Sequence, residues 1–188
     1  NNQIEFEQSA SRLFGKGCEI HTFDPTLKPE DYEGGEFSVF HDWGLGEDGK
    51  KVEINLERGK MEFTEMSVRS IVKKLGHSSS AIDILKIDCE GCEYVAVTEA
   101  FEAIAEGLIK IDQVQVEVHD WDFALIKKLF LAADKANMRI FHKEGNHWGC
   151  GGSRCVEYAF ASNEFLRRAN ANNICGWMGS AVGPLETL

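Results

Sequence analysis

The sequence predicts an α/β fold, a mainly parallel sheet interleaved with helices and finished by an antiparallel hairpin. Three observations predict it. Strand-like and helix-like segments alternate from end to end, the pattern of an α/β domain. The run Ile82-Asp83-Ile84-Leu85-Lys86-Ile87 is short, apolar and rich in β-branched residues, which suits a strand buried on both faces. The last two strand-like segments, residues 139–142 and 156–161, have no helix between them, so they read as a hairpin.

Each element has a local reason. Residues 3–14 are predicted helical, with Ile4, Phe6, Leu13 and Phe14 able to share an apolar side, and Gly15 and Gly17 stop the segment. Residues 18–23 read as a strand ended by Asp24-Pro25, and residues 26–35, with Pro29, Gly34 and Gly35, are turn-rich. Residues 37–43 form the next predicted strand, followed by a turn at Gly44-Leu45-Gly46-Glu47-Asp48-Gly49. Residues 52–56 alternate apolar and polar, as an edge or hairpin strand does. Ser67 is a suitable N-cap for a helix through Leu75, which Gly76 terminates. The buried strand at 82–87 leads into a helix over 92–105, then a strand at 113–118. A helix over 122–136 carries Phe123, Ile126, Leu129 and Phe130 at helical spacing. Residues 1–165 make up the predicted domain; residues 166–188, with Asn170, Asn172, Asn173, Gly176 and Trp177, read as an extended tail.

A chain of 188 residues has room for one substantial core. Its 43% hydrophobic and 27% charged composition is that of an ordinary globular protein. The net charge of −11, with no Lys/Arg cluster longer than a pair, argues against nucleic acid or an anionic membrane as the main partner. No apolar run approaches the ~18 residues of a membrane span. The chain opens Asn1-Asn2-Gln3 without an initiator Met, which reads as a processed or upstream-truncated product.

Six cysteines stand at 18, 89, 92, 150, 155 and 175. Cys89 and Cys92 have CxxC spacing without the second pair that a zinc knuckle requires. Cys150 and Cys155 flank Gly151-Gly152-Ser153-Arg154. They could close a small disulfide loop, or bind a metal together with His142 or His147; free thiols are the expectation in a reducing compartment.

Functional residues cluster at strand ends, where open α/β sheets bind ligands. Asp88 and Glu90 follow the buried strand, with Gly91 permitting a tight turn. Glu90 and Glu93 also suit the N-terminus of the next helix through its dipole. Glu117 and His119 are two residues apart and so share a strand face. Imidazole titrates near neutrality, which makes His119 the candidate general base and Glu117 its orienting partner. The plainer alternative has His119 capping the next turn with Asp120 or packing under Trp121. Asp88, Glu90 and His119 could instead hold Mg, Mn or Zn, but no spacing demands it and no metal is assigned. His142 and His147 read as exposed.

Parallel strands closed by a hairpin make a Rossmann-like class I methyltransferase sheet the leading architecture. The segment Asp83-Ile84-Leu85-Lys86-Ile87-Asp88-Cys89-Glu90-Gly91-Cys92-Glu93 resembles the signature of FkbM-type methyltransferases and, more closely, their eukaryotic methyltransferase-like relatives. In the right order, His21-Thr22-Phe23-Asp24-Pro25, Gly44-Leu45-Gly46-Glu47-Asp48-Gly49 and Gln115-Val116-Glu117-Val118-His119 resemble that family's second-strand end, third-strand turn and fifth strand. The resemblance spans residues 3–161. It implies an S-adenosylmethionine-dependent methyltransferase acting on an oxygen of a small-molecule, glycan or protein acceptor. It further implies Asp24 on the ribose hydroxyls, Asp42 and Trp43 near the adenine, and Asp88 near the methionine moiety or the acceptor. Glu90, Glu117 and His119 then line the acceptor side. The family's first strand and glycine-rich cofactor loop would precede Gln3, with Asn1-Asn2 as the loop's tail, so the expected sheet lacks its first strand and an upstream segment is favoured.

Two other classes compete. A methyltransferase-like domain without its cofactor loop could serve as a structural or interaction module in a larger assembly, with Trp177 and Met178 of the tail docking a partner protein. A nucleotide-binding oxidoreductase shares the Asp24-Pro25 strand ending, but the 83–93 segment favours methyl transfer.

Overall fold

In a computed structural model, residues 3–56, 59–119, 122–147, 150 and 154–171 are described. Asn1, Asn2, Asp120, Trp121 and the distal tail with Cys175, Trp177 and Met178 lie outside them. The chain divides into two compact units, Asn1–Ile71 and Val72–Leu188, each built from its own sheets.

In the first unit, helix α1 (Glu5–Phe14) precedes strands β1 (His21–Phe23) and β2 (Val39–His41), which pair in parallel with Phe23 opposite His41. Strand alternation separates their side chains. On one face His41 stacks between Phe23 and Trp43, with ring centroids 5.0 Å and 4.3 Å away. On the other, Thr22 Oγ1 donates to Glu7 of α1 and Tyr32 stacks on Phe40. The helix is where the sequence predicts it, but Phe6, Leu13 and Phe14 are exposed. Glu7, beside that apolar stripe, is the residue that reaches the strand hydroxyl.

A second sheet contains β3 (Gly44–Leu45), β4 (Lys51–Leu56) and β5 (Gly59–Met66) in the order β3-β5-β4. The predicted turn at 44–49 therefore begins two residues later, because Gly44 and Leu45 pair with Glu65 and Met66. Glycine is needed at 44, where a Cβ would run into the Phe63 ring. Strand β5 has no counterpart in the sequence reading. Its inward residues Met61, Phe63 and Glu65 alternate with exposed Lys60, Glu62 and Thr64, so its charge conceals its period.

Helix α2 (Val68–Lys74) begins as predicted, with Ser67 Oγ accepting from Ser70 N at 3.1 Å. It ends at Gly76 (φ 78°), where His77 N–H reaches Val72 O and Gly76 N–H reaches Lys73 O; these are the paired bonds of a Schellman cap.

The second unit is a four-stranded sheet of β6 (Ala81–Ile87), β7 (Lys110–Val118), β8 (Met138–Gly145) and β9 (Val156–Ser162), ordered β6-β7-β9-β8. β6 and β7 are parallel, and β8 and β9 form the predicted hairpin. Because β9 inserts antiparallel between β7 and β8, and β4–β5 is also antiparallel, the sheets are mixed rather than mainly parallel. β6 lies at an edge among the described residues, so only Ile87 in it is buried. The expectation of burial on both faces is corrected accordingly.

Helices α3 (Glu93–Ala105), α4 (Phe123–Lys135) and α5 (Asn163–Ala171) complete this unit. Its core joins Ala96, Val97, Ala100 and Phe101 of α3 to Leu129, Ala132 and Ala133 of α4, with Val114 and Phe160 from the sheet. Phe101 meets Phe160 edge-on at 5.2 Å. Asp122 caps α4 by accepting from Ala124 N and Leu125 N; Phe123, one residue inside that cap, is exposed rather than packed. α5 is helical where an extended tail is predicted from residue 166 onward, and Arg168 forms an ion pair with Asp112.

Asp48 ties the turn after β3 to the start of α2. Its carboxylate accepts from Ser67 N (2.7 Å), Ser67 Oγ (3.0 Å) and Ser70 Oγ (2.7 Å). The Ser67 N–H leads in holding its pKa below the ordinary aspartate value. A depressed folded-state pKa contributes stability that is present above the unfolded value of ~3.9 and lost as pH falls through the folded one. Asp48→Asn is expected to destabilise the protein by ~1 kcal/mol at neutral pH and to flatten the acid limb of its stability–pH curve. Urea melts between neutral pH and pH ~3 check this, and an unchanged acid limb would contradict it.

Candidate functional site

The carboxyl ends of the parallel neighbours β6 and β7 carry most of the residues the sequence singles out. Asp88 leaves β6 half-exposed and Glu90 follows it exposed. Glu117 and His119 leave β7 on one face, both buried. The structure brings these four together around the imidazole. His119 Nε2 lies 3.6 Å from Asp88 Oδ1, 3.6 Å from Glu90 Oε2 and 4.0 Å from Glu117 Oε1.

The orienting partner differs from the expected one. Glu117 instead accepts from Asn146 Nδ2 at 2.8 Å. His119 Nδ1 faces Glu93 Oε1 at 3.2 Å. Glu93 opens α3 and is fully buried. Its Oε1 also accepts from His119 N (3.0 Å), and its Oε2 accepts from Gly91 N (2.7 Å). The next residue, Tyr94, donates its hydroxyl to His119 O. Two consecutive residues of α3 thus hold both backbone polar groups of His119 and one ring nitrogen.

Glu93 is the functional residue that the sequence reading misses, because an acid at a helix start already has an explanation in the helix dipole. The available signal is its place in the stripe Glu93, Ala96, Val97, Ala100, all buried. Helical periodicity puts this glutamate on the core side, where a carboxylate needs hydrogen-bond donors.

Two disulfides frame the cluster. Cys89–Cys92, with Cα atoms 5.5 Å apart, closes the loop that presents Glu90. Within that loop Glu90 (φ 54°) and Gly91 (φ 121°) are left-handed, a conformation uncommon for a non-glycine residue. Cys150–Cys155, with Cα atoms 5.6 Å apart, realises the disulfide alternative for that pair. It lies beside Glu117 and His119, and His142 and His147 are exposed as predicted. Cys18 is free and exposed.

The remaining predicted residues belong to the first unit. Asp24 follows β1, and its Oδ1 accepts from Thr26 N (2.7 Å) and Thr26 Oγ1 (2.6 Å), closing a local turn. Asp42 follows β2 and is exposed, while Trp43 is half-buried against His41. No helix among the described residues is long and apolar enough to cross a membrane.

A family model described as a methyltransferase domain matches residues 1–162. No curated protein and no solved structure matches the chain.

Glu93 leads to a stability prediction. Removing its carboxylate leaves up to three N–H groups without their acceptor, each costing ~1–3 kcal/mol when buried. Glu93→Ala is expected to lower stability by about 3 kcal/mol or more, and Glu93→Gln by less, because the amide keeps one oxygen. Chemical denaturation checks the order; an Ala variant as stable as wild type would contradict it.

Proposed function

The chain belongs to this methyltransferase-domain family, and from that premise we propose that it is an S-adenosylmethionine-dependent enzyme transferring a methyl group to a hydroxyl oxygen. The observation that carries the reading is the buried imidazole of His119, ringed by Asp88, Glu90 and Glu117 at the ends of two parallel strands. In this reading the fold is of the class I kind, and the 83–93 segment supports an FkbM-type relationship.

S-adenosylmethionine would supply an electrophilic methyl sulfonium. The protein's part is then to position an acceptor in line with it and to help remove the acceptor's proton. Positioning makes the encounter effectively intramolecular. Proton removal falls to the cluster, because a hydroxyl is a weak nucleophile until its proton leaves. With Nδ1 engaged by Glu93, Nε2 of His119 is the nitrogen left to act. It can take the proton itself or hold a cation that lowers the hydroxyl's pKa. Asp88, Glu90 and Glu117 line the acceptor side, and a small-molecule or glycan hydroxyl is the acceptor class.

Taken by itself, the first unit offers residues that suit adenosine. Two acids, Asp24 and Asp42, follow the ends of parallel strands β1 and β2, and the Phe23, His41 and Trp43 rings form an aromatic face beside them. Asp24 would accept from the ribose hydroxyls, and Trp43 would cover the adenine.

Calorimetric titration with S-adenosylmethionine and S-adenosylhomocysteine tests the reading, and micromolar binding is expected. Asp24→Asn keeps the Oδ1 acceptor for the Thr26 turn but loses the anion. It is expected to weaken cofactor binding ~10-fold or more with the fold intact. His119→Ala is expected to lower turnover ~100-fold or more while changing cofactor affinity little. Absence of binding by a folded protein that also carries the expected upstream cofactor loop would count against methyl transfer and for the interaction module. Unchanged turnover in the His119 variant would remove that residue from the chemistry.

A further inference from the structure

We propose that Asp88, Glu90 and His119 form a binding site for a divalent metal ion of the Mn/Mg/Zn kind. The inference deepens the reading of this cluster as the acceptor side, but it stands on geometry that does not involve the cofactor.

His119 is nine-tenths buried, and its Nδ1 faces a carboxylate oxygen of Glu93. A carboxylate offers only lone pairs, so Nδ1 carries the hydrogen. Nε2 is then the coordinating nitrogen, and it points into the cluster. Among the described residues it has no hydrogen bond. Its neighbours Asp88 Oδ1 and Glu90 Oε2, both at 3.6 Å, are beyond the 2.7–3.2 Å of an N–H···O bond.

Two ligand atoms each 2.0–2.2 Å from one ion, at angles of about 90–110°, stand roughly 2.8–3.6 Å apart. The two Nε2–oxygen separations sit at the upper end of this range, and all three ligand atoms lie within 4.8 Å of one another. They are too wide for hydrogen bonding and suited to a shared cation.

A buried carboxylate on the far nitrogen of a ligating histidine fixes its tautomer and ring orientation; Glu93 stands in that place. The same glutamate holds Gly91 N, and the Cys89–Cys92 bond closes the loop carrying Glu90. Glu117, 4.0 Å from Nε2, adds negative charge beside the triangle. Two oxygens and one nitrogen favour hard to borderline ions, and the four nearby cysteines are engaged in disulfides.

The test is titration of the oxidised, cofactor-free protein with Mn(II), followed by loss of the free-ion electron paramagnetic resonance signal. About one saturable Mn(II) per chain is expected. Glu90→Gln, a change at an exposed side chain that leaves the core untouched, is expected to weaken binding ~10-fold or more, and His119→Ala at least as much. No saturable binding by wild-type protein would overturn the site, and so would binding unaffected by Glu90→Gln. Cofactor titration in the presence of EDTA separates this proposal from the methyl-transfer reading. Mn(II) binding without cofactor binding, with the expected upstream loop included, upholds the site while the reaction assignment falls. Cofactor binding without Mn(II) binding removes the site and leaves His119 as the direct base.

Discussion

The buried carboxylate of Glu93 is the constraint on which the site depends. An anion taken wholly out of water costs several kcal/mol unless donors replace its hydration. Here three do: Gly91 N, His119 N and His119 Nδ1. These donors come from the chain just beyond β6 and just beyond β7, so one side chain of α3 couples the ends of two neighbouring strands. Tyr94 completes the clamp on the His119 carbonyl. The consequence is chemical as well as structural: with Nδ1 committed, the reactive face of His119 is Nε2, aimed at Asp88 and Glu90.

The loop between β6 and α3 shows the same economy. Glu90 takes a left-handed backbone, which is unfavourable for a glutamate in isolation. It is held there by the Cys89–Cys92 bond on one side and by the Glu93–Gly91 hydrogen bond on the other. A backbone fixed in this way loses less freedom on binding a ligand than an unconstrained loop would. The Cys150–Cys155 bond plays a comparable part beside Glu117, with Asn146 N bonded to Cys155 O and Asn146 Nδ2 to Glu117.

Much of this was legible from local signals. Ser67 and Gly76 bound α2 because capping acts over a few residues, and α4 follows its apolar period. Asp88, Glu90, Glu117 and His119 were legible as site residues because strand ends and two-residue spacing fix their side. What local reading does not reach is pairing. The insertion of β9 between β7 and β8 depends on long-range register, so a mainly parallel sheet was expected where a mixed one forms. β5 hides behind Lys60, Glu62 and Glu65. Glu93 is hidden for another reason: the helix dipole already accounts for an acid at a helix start, and only its buried periodicity sets it apart. Asp24 shows the converse, a predicted ligand residue that also has a local task in the Thr26 turn.

The claim that Glu93 orients His119 for work at Nε2 is tested most directly by nitrogen-15 magnetic resonance of the His119 ring. A tautomer with hydrogen on Nδ1 and an unprotonated Nε2 is expected, and a change in that pattern in Glu93→Gln. The opposite neutral tautomer in the wild-type protein, with hydrogen on Nε2 and none on Nδ1, would set two lone pairs against each other at Glu93. It would contradict the account.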